Sequence, residues 1–242
     1  MPAALRCLVD RRTPYTLVRL IGVLDVAGAS RTRATLLKVL AEQPDAIVVD
    51  MAGIEPCPPA ALSVFPAVAR KAARWPSVPI LLAAPIPLVA GAIGRSAAEG
   101  MPLFPTVTAA ATKVGWGPAS PTLADDLLPV LGAARRAREL VTEACVRWDL
   151  PELAGPACIA ISELVNNGVE HAGTMLTARV ALRARYLHVA VHDGSTGPPV
   201  PRRADLRGRG LHLVASVAHS WGYLETADGK VVWATFARGR PA

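Results

Sequence analysis

The sequence is poor in aromatic residues, which make up 5% of its 242 positions, and it has four scattered cysteines, Cys7, Cys57, Cys145 and Cys158. So few aromatics leave no stacking platform for single-stranded nucleic acid. The cysteines show no CxxC spacing, which argues against a zinc frame or a disulfide scaffold. They read as small apolar residues of a reducing compartment. A long unbroken apolar run is also missing: the stretch from Val78 to Gly94 is interrupted by Pro79, Pro85 and Pro87, which would break a spanning helix. No secretory apolar segment opens the chain, because Arg6, Asp10, Arg11 and Arg12 fall where it would lie. These absences lead us to expect a soluble, cytoplasmic protein with no membrane partner.

The remaining composition favours packed structure: 52% of residues are hydrophobic and 19% charged. The net charge of +7 and pI near 9.7 invite a nucleic-acid reading, but the arginines are dispersed, so no direct nucleic-acid contact is expected.

Two blocks with different rhythms meet at Lys113 to Thr122, which reads KVGWGPASPT and carries turn and linker chemistry. The expected domains are 1–116 and 124–242, with 117–123 as linker. The first block alternates strand and helix patterns. It has a β-rich run from Thr16 to Leu24 and a helix capped by Ser30 and stopped by Pro44. A buried strand from Ala46 to Val49 follows, then a helix from Pro59 to Arg74, a strand from Val78 to Ala83 and a helix from Pro87 to Ala98. That alternation predicts an α/β layer structure. The second block opens with a helix from Leu131 to Trp148. A second helix follows, with Pro156 in its first turn, running to Ala172. Two alternating strands, a short helix from Leu211 to Ala218 and a hairpin turning at Ala227-Asp228-Gly229 complete it. Helices on one face of a mostly antiparallel sheet make an α+β two-layer sandwich.

The second helix of this block carries chemistry. At about 100° per residue, Glu163, Asn167, Glu170 and His171 share one face, and Cys158, Ile161, Val165 and Val169 the other. An amide oxygen is a hard neutral ligand suited to hydrated Mg²⁺, and a carboxylate one turn away can accept a proton. The same row also fits an ordinary solvated face. Gly168, costing roughly 1 kcal/mol inside a helix, hints at a close approach. The strand ending at His192 runs into Asp193-Gly194-Ser195-Thr196-Gly197. There an Asp can accept from an exocyclic amine, and small residues let backbone approach a planar base. The alternative is a simple Asp-Gly turn. Gly208-Arg209-Gly210-Leu211 then opens a helix whose free amides suit phosphates.

Taken in order, E-x-x-x-N, D-G-S-x-G and G-R-G-L resemble the N, G1 and G2 boxes of the GHKL (Bergerat) ATPase fold. The likeness is greatest to the anti-sigma-factor serine kinases, over about Ala124 to Phe236. The resemblance implies ATP and Mg²⁺ as cofactors. It implies Glu163 as general base, Asn167 as magnesium ligand and Asp193 as acceptor for the adenine amine. Ser195 and Gly197 would lie beside the base, and Gly208, Arg209, Gly210 and Leu211 around the phosphates. Ser195 stands where the family has a glycine, and Val231 where it often has a threonine that supports adenine. Pro198, Pro199 and Pro201 suggest a stiff loop, whose Arg202, Arg203, Arg207 and Arg209 suit phosphates.

In the first block, Leu20-Ile21-Gly22-Val23-Leu24-Asp25 resembles the L-x-G-x-L-D strand of STAS domains, the anti-sigma-factor antagonists. In those proteins a D-S-S-G-L-like turn carries the serine that the kinase phosphorylates. The matching turn here reads Pro58-Pro59-Ala60-Ala61-Leu62, with Ala60 at the acceptor position and Ser63 nearby on the helix. The first block is therefore not expected to be a substrate there. The resemblance implies a partner-switching regulator, a serine-kinase-like protein that phosphorylates a separate STAS antagonist or sequesters a sigma factor, and a homodimer. The alternative is a kinase-inactive nucleotide-binding or docking module regulated by its own STAS-like domain.

Overall fold

The computed structural model of the protein describes residues 4–12, 14–115, 121–199, 210–226 and 228–239. The chain divides into two compact units, Met1–Ala119 and Ser120–Ala242. Among the described residues each unit holds one five-stranded sheet.

In the first unit the strands β1 (Arg6–Arg11), β2 (Tyr15–Gly22), β3 (Ala46–Ile54), β4 (Ile80–Ala83) and β5 (Leu103–Phe104) lie side by side in that order. The β1/β2 pair is antiparallel and the other pairs are parallel. Parallel pairing demands crossovers, which α1 (Val26–Ala41), α2 (Val64–Arg74) and α3 (Pro87–Ile93) supply. Every residue from Ala46 to Met51 is buried, as expected of a central strand covered on both faces. A further helix, α4 (Val107–Gly115), packs Ala110 against Leu17, Val48, Leu81 and Ala83.

Helix α1 begins earlier than the Ser30 cap predicts. Asp25 is the N-cap, and its carboxylate accepts from Gly28 N at 2.6 Å. This satisfies an amide that the first turn leaves free. The stretch expected as one helix from Pro59 is a 3₁₀ turn, Pro59–Ser63, running into α2. The edge strand β1, with its charged, mostly exposed RCLVDR sequence, gave no clear alternation to read.

In the second unit β6 (Thr122–Leu127), β7 (Leu176–Leu182), β8 (Tyr186–Asp193), β10 (Lys230–Ala237) and β9 (Ser220–Glu225) form a fully antiparallel sheet in that order. Thr122 and Leu123, expected in the linker, are strand residues paired with Ala181 and Val180. The helices α5 (Ala133–Arg147), α6 (Pro151–His171) and α7 (Gly210–Val217) pack on one face. Their Ala137, Leu140, Ile161, Leu164, Val165 and Val214 share a core with Val180, Val189, Val191, Val232 and Ala234. Two-layer α+β architecture follows, as the sequence rhythm predicts. Pro151, not Pro156, takes the first turn of α6, and Pro156 lies inside the helix. Proline suits the first turn because the amide it lacks would have no partner there.

Candidate functional site

Helix α6 packs by the face expected. Ile161, Val165 and Gly168 are buried with Ala157, Ala160 and Leu164, and Cys158 and Val169 are half-buried. Glu163 and Asn167 stay partly exposed on the other side, one turn apart, with Glu170 and His171 exposed beyond them. Gly168 has a packing explanation: a Cβ there would stand 2.7 Å from Leu176 Cδ2. The glycine lets the end of α6 lie directly on β7, and the close approach it signals is to Leu176 and not to a ligand.

Glu163 meets the start of α7. A Cβ on Gly210 would lie 2.7 Å from Glu163 Oε2, so a side chain at that position would push the carboxylate away. Burial pushes the Glu163 carboxyl above its ordinary value, and the negative charge of Glu170 adds to the effect. A carboxylate tuned upward is a better proton acceptor near neutral pH. Leu211, the next residue of α7, is buried in the core. Gly208 and Arg209, with Pro201 and the loop arginines Arg202, Arg203 and Arg207, lie outside the described residues.

Asp193 closes β8 and is 3% exposed. Its Oδ1 accepts from the backbone N of Ser195 at 2.9 Å and from Ser195 Oγ at 2.5 Å. It also forms an ion pair with Lys230 Nζ at 2.9 Å, and that ammonium additionally contacts Ser195 Oγ. Thr174 Oγ1 accepts from Gly194 N at 2.9 Å and pins the start of the loop. Gly197 takes φ of +90°, a conformation that glycine adopts without strain.

Lys230 went unnoticed in the sequence, where Val231 stood out instead. The strand register explains why. Lys230 pairs directly with Asp193, whereas Val231 pairs with His192 and so projects to the opposite face of the sheet. Gly229 makes the pairing possible, because a side chain there would collide with the Asp193 carbonyl oxygen. A lysine following an Asp-Gly turn is weak evidence by itself. Only the pairing of β8 with β10 gives it meaning.

Three kinds of group therefore line this unit: a carboxylate with an amide on α6, a buried acidic residue at a strand end, and a helix start with a glycine against the carboxylate. Among the described residues no three His, Cys, Asp or Glu side chains converge on a common metal position.

Residues 129–236 match the family model of the histidine kinase-like ATPase domain. Among solved structures, an anti-sigma factor antagonist from Mycobacterium paratuberculosis is 23% identical, covering 46% of this chain and 95% of its own, with a TM-score of 0.42. The anti-sigma factor antagonist SpoIIAA in its unphosphorylated form is 17% identical, covering 46% of this chain and 96% of its own, with a TM-score of 0.39. No curated protein matches the chain.

Proposed function

We propose, from the premise that residues 129–236 form a histidine kinase-like ATPase domain, that the second unit binds Mg-ATP and that the chain is a partner-switching regulator of transcription. In this reading Asn167 holds the magnesium ion, which neutralises phosphate charge. Asp193 accepts from the base amine, with Ser195 and Gly197 beside it. The helix start at Gly210, with Gly208 and Arg209 before it, receives the phosphates. Glu163 takes the proton from the acceptor serine hydroxyl of a separate antagonist protein, while sequestering a sigma factor remains the companion outcome of the same docking.

The observation that carries the proposal is the meeting of Glu163 with Gly210: a carboxylate of raised proton affinity lies against a helix start whose glycine leaves it in that position. Calorimetry with Mg-ATP on the wild type and on Asn167→Ala tests binding, and a variant that binds as tightly as wild type removes Asn167 from the site. Incubation with labelled ATP and STAS-domain partners tests transfer. Glu163→Gln is expected to lower transfer by about a hundredfold or more, and undiminished transfer would remove the proposed base.

A second reading, a nucleotide-binding or docking module without transfer, is favoured by one observation: Asp193 is already held by Lys230 and Ser195. Tight binding without transfer to any partner would select it.

A further inference from the structure

The buried trio of Asp193, Ser195 and Lys230 leaves a chemical question, because a carboxylate already neutralised by a charged donor on one oxygen attracts a base amine less strongly. Here Asp193 Oδ1 accepts from Lys230 Nζ, from Ser195 N and from Ser195 Oγ. The lysine ammonium in turn is directed at Asp193 Oδ1, Ser195 Oγ and, at 3.4 Å, the Ser195 carbonyl oxygen. Both charged side chains are almost fully enclosed, 8% exposed for Lys230 and 5% for Asp193. A buried carboxylate with an internal counter-charge has far less to gain from a neutral amine than an unpaired one. The ammonium supplies the same donor type that an exocyclic amine would bring, and it supplies it with full charge.

We infer that Lys230 sets the affinity of the nucleotide site: its ammonium occupies Asp193 as an internal substitute for the base amine, and a nucleotide binds by displacing it. The inference rests on the nucleotide reading given above. Ser195 takes part in the lock, because its hydroxyl donates to Asp193 and accepts from Lys230, a bridge that a glycine would lack beside the backbone contacts of the same residue. Two consequences follow. Removing the ammonium should tighten binding, and binding should expose the ammonium.

The test compares Mg-ATP titrations of the wild-type chain and Lys230→Met, which keeps an apolar stem of similar length. Met is expected to bind about tenfold tighter, and equal or weaker binding overturns the inference. A second arm uses the unaltered protein, so it stands even if the variant does not fold. An amine-acylating reagent followed by mass spectrometry should find Lys230 protected without nucleotide and modified under saturating Mg-ATP. A Lys230 that stays protected when nucleotide is bound also overturns it. If neither protein binds Mg-ATP at millimolar concentration, the nucleotide reading itself falls and takes this inference with it. Binding without the gain or the exposure removes the inference alone.

Discussion

The two units are of similar length but place their polar groups differently. In the first, even the buried Asp50 pairs with a partly exposed guanidinium. Asp25 caps α1, and Asp50 bonds Arg19, whose side chain is 46% exposed. The turn at Pro58–Leu62 is chemically bare: Ala60 is exposed and carries no hydroxyl, and the Ser63 hydroxyl donates to the Ala60 carbonyl oxygen at 2.7 Å. In the second unit, ionisable groups lie inside. Asp193 and Lys230 are buried together, and burial with nearby Arg183 pushes the His188 imidazole down to about 3, so it is neutral at ordinary pH. Charge that water reaches costs little. Charge enclosed in a small domain is expensive unless it is paired, as Asp193 and Lys230 are.

The sharpest test of that contrast pairs one acid from each unit. Asp193→Ala leaves the Lys230 ammonium buried without a partner and is expected to lose about 3–5 kcal/mol of stability. Asp50→Ala frees a guanidinium that water already reaches and is expected to lose about 1 kcal/mol. Equilibrium urea unfolding of the full chain measures both, and equal losses would erase the distinction. Gly168→Ala comes next. The methyl group meets Leu176, and overpacking of about 1–3 kcal/mol outweighs the roughly 1 kcal/mol gained in helix propensity, so a modest net loss is expected by the same measurement. A gain would mean that Leu176 yields easily. In the first unit, Asp25→Ala should cost about 1 kcal/mol through the lost cap and leave Mg-ATP affinity unchanged; altered affinity in calorimetry would couple the first unit to the nucleotide site.

The smallest effect has the opposite sign. Because the folded protein raises the Glu163 carboxyl, the group's contribution to stability is complete below the ordinary carboxylate range and is lost as pH rises through the raised folded value. Glu163→Gln should therefore melt slightly above wild type at neutral pH, and the two should converge in acid. Thermal melts across pH check this, and a variant less stable at neutral pH would contradict the assigned burial cost. Gained stability with lost transfer is the signature of a strained functional group rather than a structural one.

Much of this was legible in the residues. Periodicity gave the helices α2, α5 and α6 and the change from parallel to antiparallel rhythm, because those signals are local. It placed Glu163 and Asn167 on one face for the same reason. The misplacements were of two physical kinds. Ser30 and Pro156 satisfy the same end rules as Asp25 and Pro151, and local preference cannot rank competing caps without knowing where packing begins. Lys230 and the Glu163–Gly210 contact are long-range facts, set by strand register and helix packing between segments far apart in the chain. Val231 drew attention for its position along the strand, and only register shows which neighbour faces the acid.

The contact between Gly168 and Leu176 has one further consequence. Leu176 is the cross-strand neighbour of Asp193, so a single leucine touches the turn of α6 that follows Asn167 and flanks the strand end that carries the buried acid. It works as a calliper: one jaw rests on the helix, the other on the sheet, and the missing side chain of Gly168 sets the gap. Any change in that gap moves the Asn167 turn of the helix relative to the Asp193 end of the strand.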